Sequence, residues 1–494
     1  MNEKHIKEIL LNGECVTLEC KRAKSEVPKS VWETYSAFAN TIGGVILLGI
    51  EENRKESDKK KRFQIIGVDD AQKIINDFWN TINSDKVNEN ILNSNDVDSV
   101  EIDGVQIVCI HVPQADWRIK PIYLNGNVYK GTYRRDHEGD YHCTERQVRA
   151  MIRDSFEDGN DSRLLEHYDM RDIDLDSLHR YRTLFRFRNE GHVWNEVDDI
   201  SFLRNLGGCT IDRESGKETL TVAGLMMFGT GLAVRERFAN FRMDYINMCN
   251  LIGEERYSDR LTYDGRWENN LFQFFSIVLP KITFDLPRPF KMVGLQRDDD
   301  TPQHKAVREA FTNSIIHCDL MMESGVLRIE KHDDKLVFRN PGLLRLPIKQ
   351  IFEGGVSYAR NPKIQNMLRM VGYGENLGSG FPTIISAWKD ANWGEPELKN
   401  KFEIDEVELV LPIPMRGAND TINDTLNDTL NDTLNDSVKT TYTIIRSNPG
   451  IQRKGIADIS GKSVATTGRH LAILVKEGLI EHRDSDKTGG YYAK

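Results

Sequence analysis

The stretch from Ser36 to Glu52, SAFANTIGGVILLGIEE, constrains the fold more than any other part of the chain. A helix-like run ends in Phe38-Ala39-Asn40-Thr41-Ile42, two glycines follow, and an apolar run from Val45 to Ile50 closes on Glu51-Glu52. Such a run bounded by turn residues reads as a buried strand. Gly43-Gly44 lets the backbone turn tightly from the helix into it. Upstream, residues 16–20 read as a short strand whose alternation sends Glu19 and Lys21 to one face and Leu18 and Cys20 to the other. Glu14 and Glu19 would then come from one hairpin and Glu52 from the end of the neighbouring strand, meeting at the sheet ends. Three carboxylates suit a hard cation, Mg2+ or Mn2+. The same groups with Lys21 also make an ordinary solvated ion-pair network, and both readings stay open.

A chain of 494 residues is too long for one core, and at roughly one domain per 150 residues three or four are expected. Charged residues make up 29%, and no apolar run approaches the roughly 20 residues that cross a bilayer. No signal-peptide pattern opens the sequence. Seven cysteines lie scattered without CxxC spacing, as expected for reduced thiols, so the expectation is a soluble, cytoplasmic protein with no membrane partner. His137, His142 and Cys143 lack a fourth ligand and read as a polar loop. The net charge of −10 argues against bulk attraction to nucleic acid. From Val438 onward, however, ten Lys/Arg face five Asp/Glu. That local excess marks the C-terminal segment as the DNA-contacting candidate.

The chain divides by pattern into residues 1–155, 156–295, 296–416, 417–437 and 438–494. In the first, Asn125-Gly126 signals a hairpin between residues 121–124 and 127–130. Arg134, Arg135 and Arg146, with Lys21, Arg22 and Lys24, form either a phosphate-binding face or a solvated surface. Residues 156–295 read as a helical and αβ connecting region holding the apolar segment TVAGLMMFG at 221–229. In 296–416, Glu309, Asn313 and His317 recur at i, i+4 and i+8 on one helix face. Strands around 327–330 and 335–338 lead into Arg339-Asn340-Pro341-Gly342. Gly372, Gly374, Gly378 and Gly380, with Glu375 and Ser379, offer backbone N–H groups to a phosphate. Between residues 419 and 436 the unit Thr-[Ile/Leu]-Asn-Asp occurs four times. It reads as a low-complexity linker, with an oligomerisation stripe as the alternative.

The last segment reads as helices over 438–447, 452–459 and 463–477 followed by a hairpin of 479–483 and 490–492. Ser463 caps the third helix and Gly478 stops it. Leu471, Leu474 and Val475 are assigned to its core side. Ser463, Thr466, Thr467, Arg469 and His470 are assigned to the DNA-facing side, with Lys487 near the hairpin tip.

Glu14-x4-Glu19-x-Lys21 followed by AFANTIGGVILLGIEE resembles the Schlafen AlbA domain, also called a divergent AAA domain, over about the first 150 residues. In nuclease members of that family two such Glu and an Asp bind metal and cut tRNA or rRNA. Glu52 stands where the Asp would be. The resemblance thus implies Glu14, Glu19 and Glu52 as metal ligands and Lys21 as the group neutralising phosphate. TVAGLMMFG and Leu286-Pro287-Arg288-Pro289-Phe290 are similar to a family of ATP-binding transcriptional regulators labelled RecG-like. No GxxxxGK[ST] sequence occurs, so P-loop helicase chemistry has no seat. Residues 301–414 resemble the histidine-kinase-type ATPase fold through Glu309-x3-Asn313, where Asn holds Mg2+ and Glu orients water. Asn340 and Gly342 stand where an adenine-reading Asp-x-Gly-x-Gly is found, which implies a degenerate nucleotide pocket rather than an active ATPase. The final segment is similar to bacterial winged helices.

The expected architecture is therefore α+β multidomain: a Schlafen-like domain, a histidine-kinase-ATPase-like αβ sandwich and a C-terminal winged helix-turn-helix. The expected function is a DNA-binding regulator gated by ATP or another ligand. The alternatives are a metal-dependent endoribonuclease acting on tRNA, in the manner of phage defence, and a homo-oligomeric scaffold.

Overall fold

The computed structural model describes residues 3–12, 15–53, 56, 62–251, 253–287, 292–293, 296–297, 300–374, 380–414, 438, 441–442, 444–445, 450–460, 462–476, 479–483 and 490–493. It forms two compact units, Met1–Ile413 and Pro414–Lys494. Glu14, Gly378, Lys487 and the Thr-[Ile/Leu]-Asn-Asp repeat lie outside the described residues.

In the N-terminal module the apolar run forms the strand Gly44–Leu48, inside a sheet ordered Leu18–Lys21, Gly44–Leu48, Val105–Val112, Val97–Ile102. The first pair is parallel and the other two are antiparallel. The helix Ser30–Asn40 makes the crossover that a parallel pair requires. Both faces of the sheet are covered, which explains why the run shows no polar alternation. Ile46 and Leu48 pack with Trp32, Phe38 and Phe78 on one side. Leu47 packs with Ile6, Leu10 and Leu18 on the other. Both glycines of the turn are needed. Gly43 has φ +78°, and a Cβ on Gly44 would stand 2.7 Å from the Phe38 ring.

Asn40 and Thr41 explain the polar interruption before that turn. Asn40 Nδ2 donates to Ile122 O at 2.8 Å and Tyr133 O at 3.0 Å, while its Oδ1 accepts from Ile122 N at 2.8 Å. Such a buried carboxamide, fully satisfied, fixes the chain around 122 and 133 against the helix. Asn125 and Gly126 both have positive φ, as the hairpin reading required. The chain after them turns again before pairing, with Tyr123 bridged to Thr132, so the expected two-residue hairpin is replaced by a longer loop.

The second part of this unit holds a six-stranded sheet ordered Asp259–Leu261, Arg242–Asn247, Val326–Lys331, Lys335–Pro341, Glu406–Pro412, Glu397–Lys401. Its first two strands come from the segment read as a connecting region. One apolar core runs from Leu165 to Leu411 without a break at 295. Phe275 on the helix Leu271–Thr283 stacks on Phe311 of the helix Pro302–Ile316 with ring centroids 4.7 Å apart. The TVAGLMMFG segment is the helix Val222–Phe228, buried throughout. A Cβ on Gly224 would stand 1.9 Å from Gly208 O, so the helix touches backbone there.

A network of charges joins the N-terminal module to this sheet. The helix Glu145–Asp154 ends in Arg153, paired with Asp319, and in Asp154, which takes Arg360 Nε and NH2 at 2.9 Å each. Arg360, 2% exposed, also donates to Leu343 O at 2.8 Å. Arg345 adds a bond to Asp154 O at 3.1 Å.

The second unit contains the helices Arg453–Ser460 and Val464–Lys476 and the paired strands Ile480–Arg483 and Gly490–Ala493. Ile451 bridges Tyr491 at the edge of that pair. Gly468 sits where the helices cross, because a Cβ there would meet the Arg453 guanidinium at 1.9 Å.

Burial alone would raise the Asp154 pKa, but Arg360, Arg345 and Arg153 outweigh it and hold the carboxyl below its ordinary range. Its stabilising contribution is therefore complete above the unfolded pKa, about 3.9, and is lost as pH falls through the depressed value. Asp154→Asn leaves two arginines without their carboxylate and should cost the first unit about 3–5 kcal/mol, read from the shift of its unfolding midpoint at pH 7.

Candidate functional site

Three places collect the residues singled out by sequence. The first is the edge of the N-terminal sheet. Glu19 and Lys21 share a face, as their alternation required, and pair at 2.8 Å. The other Glu19 oxygen lies 2.8 Å from the Arg135 guanidinium. Arg135 is fully buried, 5.2 Å over the Phe38 ring, and also bonds Asp140 at 2.9 Å and the Leu18 and Cys15 carbonyls at 3.1 Å. It is thus a strut within the module, not part of an open basic face. Arg134, half-buried, donates to Phe402 O at 2.7 Å. Glu52 is held by Arg62 at 2.5 Å.

Of the three implied ligands Glu14 lies outside the described residues, and the other two do not present a site for Mg2+ or Mn2+ as they stand. A divalent ion needs carboxylate oxygens free to converge on it, and here Glu19 and Glu52 are each engaged by arginine. Among the described residues no group of three His, Cys, Asp or Glu could hold a metal. The sequence pattern correctly placed Glu19 and Lys21 together but had no means of seeing Arg135, more than a hundred positions away, enter between them.

The second place is a cavity of about 120 Å3 in the kinase-like part, with Glu309, Asn313 and His317 along one wall and Asn340 on another. Asn313 Nδ2 donates to Glu309 Oε1 at 3.2 Å. Gly380 packs against that pair, since a Cβ would come 2.2 Å from Glu309 Oε1. Asn340 is 4% exposed, and its Nδ2 has no acceptor among the described residues. Burial, with Arg360 and Arg345 nearby, pushes the His317 pKa down to about 3, so the imidazole is neutral at physiological pH.

Gly342 does not line this cavity. Its φ of +93° and its approach to Arg360, 2.7 Å from a Cβ, make it a backbone requirement of the charge network. Arg345, Arg360, Tyr358 and Phe381 also line the cavity and were not singled out by sequence. A signal existed for one of them: Arg360 precedes Asn361-Pro362, and Pro362 opens the helix Pro362–Met370.

The third place is the helix Val464–Lys476. The Ser463 hydroxyl accepts from Thr466 N at 3.1 Å, the expected N-cap. Ser463 and Arg469 are exposed and Thr466 is partly so. Thr467 and His470 depart from the expected DNA-facing side. Thr467 is buried, its hydroxyl returned to Ser463 O at 3.1 Å, and His470, 7% exposed, bonds Thr441 at 2.8 Å. Together with Leu471 and Leu474 they form the inward stripe at helical spacing. Val475, assigned to the core side, is exposed.

Comparison with known proteins matches four family models to parts of the chain. Residues 14–144 match "Schlafen, AlbA_2" and residues 149–244 match a domain of unknown function (DUF8451). Residues 326–411 match "Putative ATP-dependent DNA helicase recG C-terminal", and residues 434–481 match "Winged helix-turn-helix DNA-binding". No curated protein matches the chain. Among solved structures, the crystal structure of the DIP2311 protein from Corynebacterium diphtheriae aligns over 99% of this chain and 96% of its own, at 16% identity and a TM-score of 0.40. The solution structure of the N-terminal domain of a RecG-related protein from Nitrosomonas europaea aligns over 29% of this chain and 94% of its own, at 27% identity and a TM-score of 0.23.

The class so defined is a mixed α+β multidomain protein that joins nucleic-acid-related and ATPase-like modules. In particular, the chain carries a Schlafen AlbA_2 domain, an ATPase-like domain of the RecG C-terminal type and a winged helix-turn-helix. Among the described residues no helix is long and apolar enough to cross a membrane.

Glu19→Ala removes one of the two carboxylates that neutralise buried Arg135. The expected loss is about 1–3 kcal/mol, visible as a lower melting temperature; an unchanged melting temperature would show that Asp140 suffices alone.

Proposed function

We propose that this chain is a DNA-binding transcriptional regulator whose DNA affinity responds to a ligand of the nucleotide class. The observation that carries the reading is the division of the helix Val464–Lys476 into an anchored inward stripe and an outward side bearing exposed Ser463 and Arg469 and half-exposed Thr466. A helix held that way presents its first turns to a major groove, the mode of helix-turn-helix readers. The local excess of Lys/Arg in the same segment supplies phosphate attraction.

The ligand is assigned to the cavity walled by Glu309, Asn313 and Asn340. Residue types support a nucleotide: an apolar slot with a carboxylate and carboxamide pair on one side and the Asn340 carboxamide on the other. At about 120 Å3 the cavity is below the roughly 300–1,000 Å3 of typical ligand pockets. Binding therefore includes a widening of the slot, which is how a ligand would act on the rest of the chain. Nothing among the described residues favours the endoribonuclease alternative, because Glu19 and Glu52 are both held by arginine.

Fluorescence anisotropy with a DNA library at several salt concentrations tests both halves. Arg469→Ala should weaken binding by about 1–3 kcal/mol, with log affinity falling linearly in log salt for the parent chain. Asn313→Ala should leave DNA binding intact and abolish its response to added nucleotide. Equal affinity of the parent and Arg469→Ala chains for every DNA would overturn the reading.

A further inference from the structure

A second cavity, of about 290 Å3, opens at the seam between the N-terminal module and the six-stranded sheet. Most charges on its walls are already matched. Arg149 pairs with Glu145 at 2.6 Å, Arg146 with Asp405 at 3.6 Å, Arg345 with Asp154 at 3.6 Å, and Arg153 with Asp319. Lys120 and Arg134 are different. Among the described residues neither makes an ion pair; Lys120 Nζ donates to Asn40 O at 3.0 Å and Arg134 to Phe402 O at 2.7 Å.

Neither cation has a carboxylate within ion-pair distance among the described residues, and the attraction of Asp405 for Arg134 acts at longer range. Burial pushes the Lys120 ammonium down to about 8, with only distant help from Cys143, Asp116 and Asp154. The unmet hydrogen-bonding capacity around the cavity has the same sign. Trp117 Nε1, Arg153 Nε and Arg345 Nε are buried without an acceptor among the described residues. Trp117 is 6% and Arg345 9% exposed, and the Arg345 guanidinium lies 4.3 Å over the Trp117 ring. Of the lining carboxylates, only Glu323 makes no ion pair among the described residues, and it is exposed. Buried donors in excess of acceptors call for an acceptor-only partner.

We propose that this seam cavity binds a phosphoryl group, held by Lys120 and Arg134 of the N-terminal module and by Arg345 of the sheet-bearing part, and that the bound anion fastens the two together. A tetrahedral, multi-oxygen anion accepts from the two cations of the N-terminal module and from the unmet Arg345 Nε across the seam, and charge-assisted bonds are the strong ones. The volume lies at the lower edge of the roughly 300–1,000 Å3 range for small-molecule sites, enough for a small phosphorylated compound. A nucleic-acid chain offers the same chemistry. The inference does not rest on the winged helix or on a ligand in the Asn340 cavity.

The test is calorimetric titration of the full chain with inorganic phosphate, pyrophosphate, AMP and a short single-stranded RNA, each at low and high salt. Binding of at least one of these is expected, weakened about tenfold or more in Lys120→Gln. Lys120→Arg, which keeps the charge, should retain it. Heat with the small phosphates identifies a free compound as the source; heat with RNA alone, sensitive to Lys120→Gln, identifies a nucleic-acid chain. Thermal unfolding of each variant separates loss of binding from loss of fold. No heat with any probe at millimolar concentration, or binding that Lys120→Gln leaves intact, overturns the proposal.

Discussion

The contact on which the first unit depends is the buried pairing of Asp154 with Arg360. Asp154 closes the helix Glu145–Asp154 of the N-terminal module, and Arg360 belongs to the segment that leads into the helix Pro362–Met370 of the sheet-bearing part. Two desolvated charges this close are tolerable only when each is bonded on several sides. Here Arg360 also reaches Leu343 O and His317 O, while Asp154 faces Arg345 as well. Gly342 is glycine because a side chain would collide with that guanidinium. The pairing thus fixes the ends of two modules, one wall of the Asn340 cavity and the border of the seam cavity at once.

This arrangement gives a physical route between sites. Arg345 and Arg360 line the Asn340 cavity, and Arg345 and Asp154 line the seam cavity. Under the proposed function, a ligand that widens the first would displace groups that wall the second. Coupling of this kind requires that a ligand have different affinity for the two arrangements; contact with shared arginines provides the means for it. His317, held neutral by its surroundings, adds no further charge to this crowded place.

Much of the fold was legible in sequence wherever the signal was local. The helix, Gly43-Gly44 and apolar strand sequence forced one backbone path, and the alternation about Glu19 correctly placed its carboxylate beside Lys21. The Ser463 cap and the helix it starts were likewise written in neighbouring residues. What failed did so for lack of distant partners. Arg135 read as part of a basic face because nothing local shows that Glu19 takes it inward. Thr467 and His470 read as polar and therefore outward, yet Thr467 satisfies its hydroxyl on the preceding turn and His470 finds Thr441.

The sequence alone determined the local elements, the types of module and the places where glycine was unavoidable, because steric limits and hydrophobic periodicity act over a few residues. Tertiary structure decided which charges are available for chemistry. It paired Glu19 with Arg135 and Glu52 with Arg62, and merged the region before residue 295 with the sheet that follows. It also left Lys120, Arg134 and the Asn340 carboxamide facing cavities. Whether a charge is spent or free depends on groups brought together from remote parts of the chain, and only the folded packing brings them there.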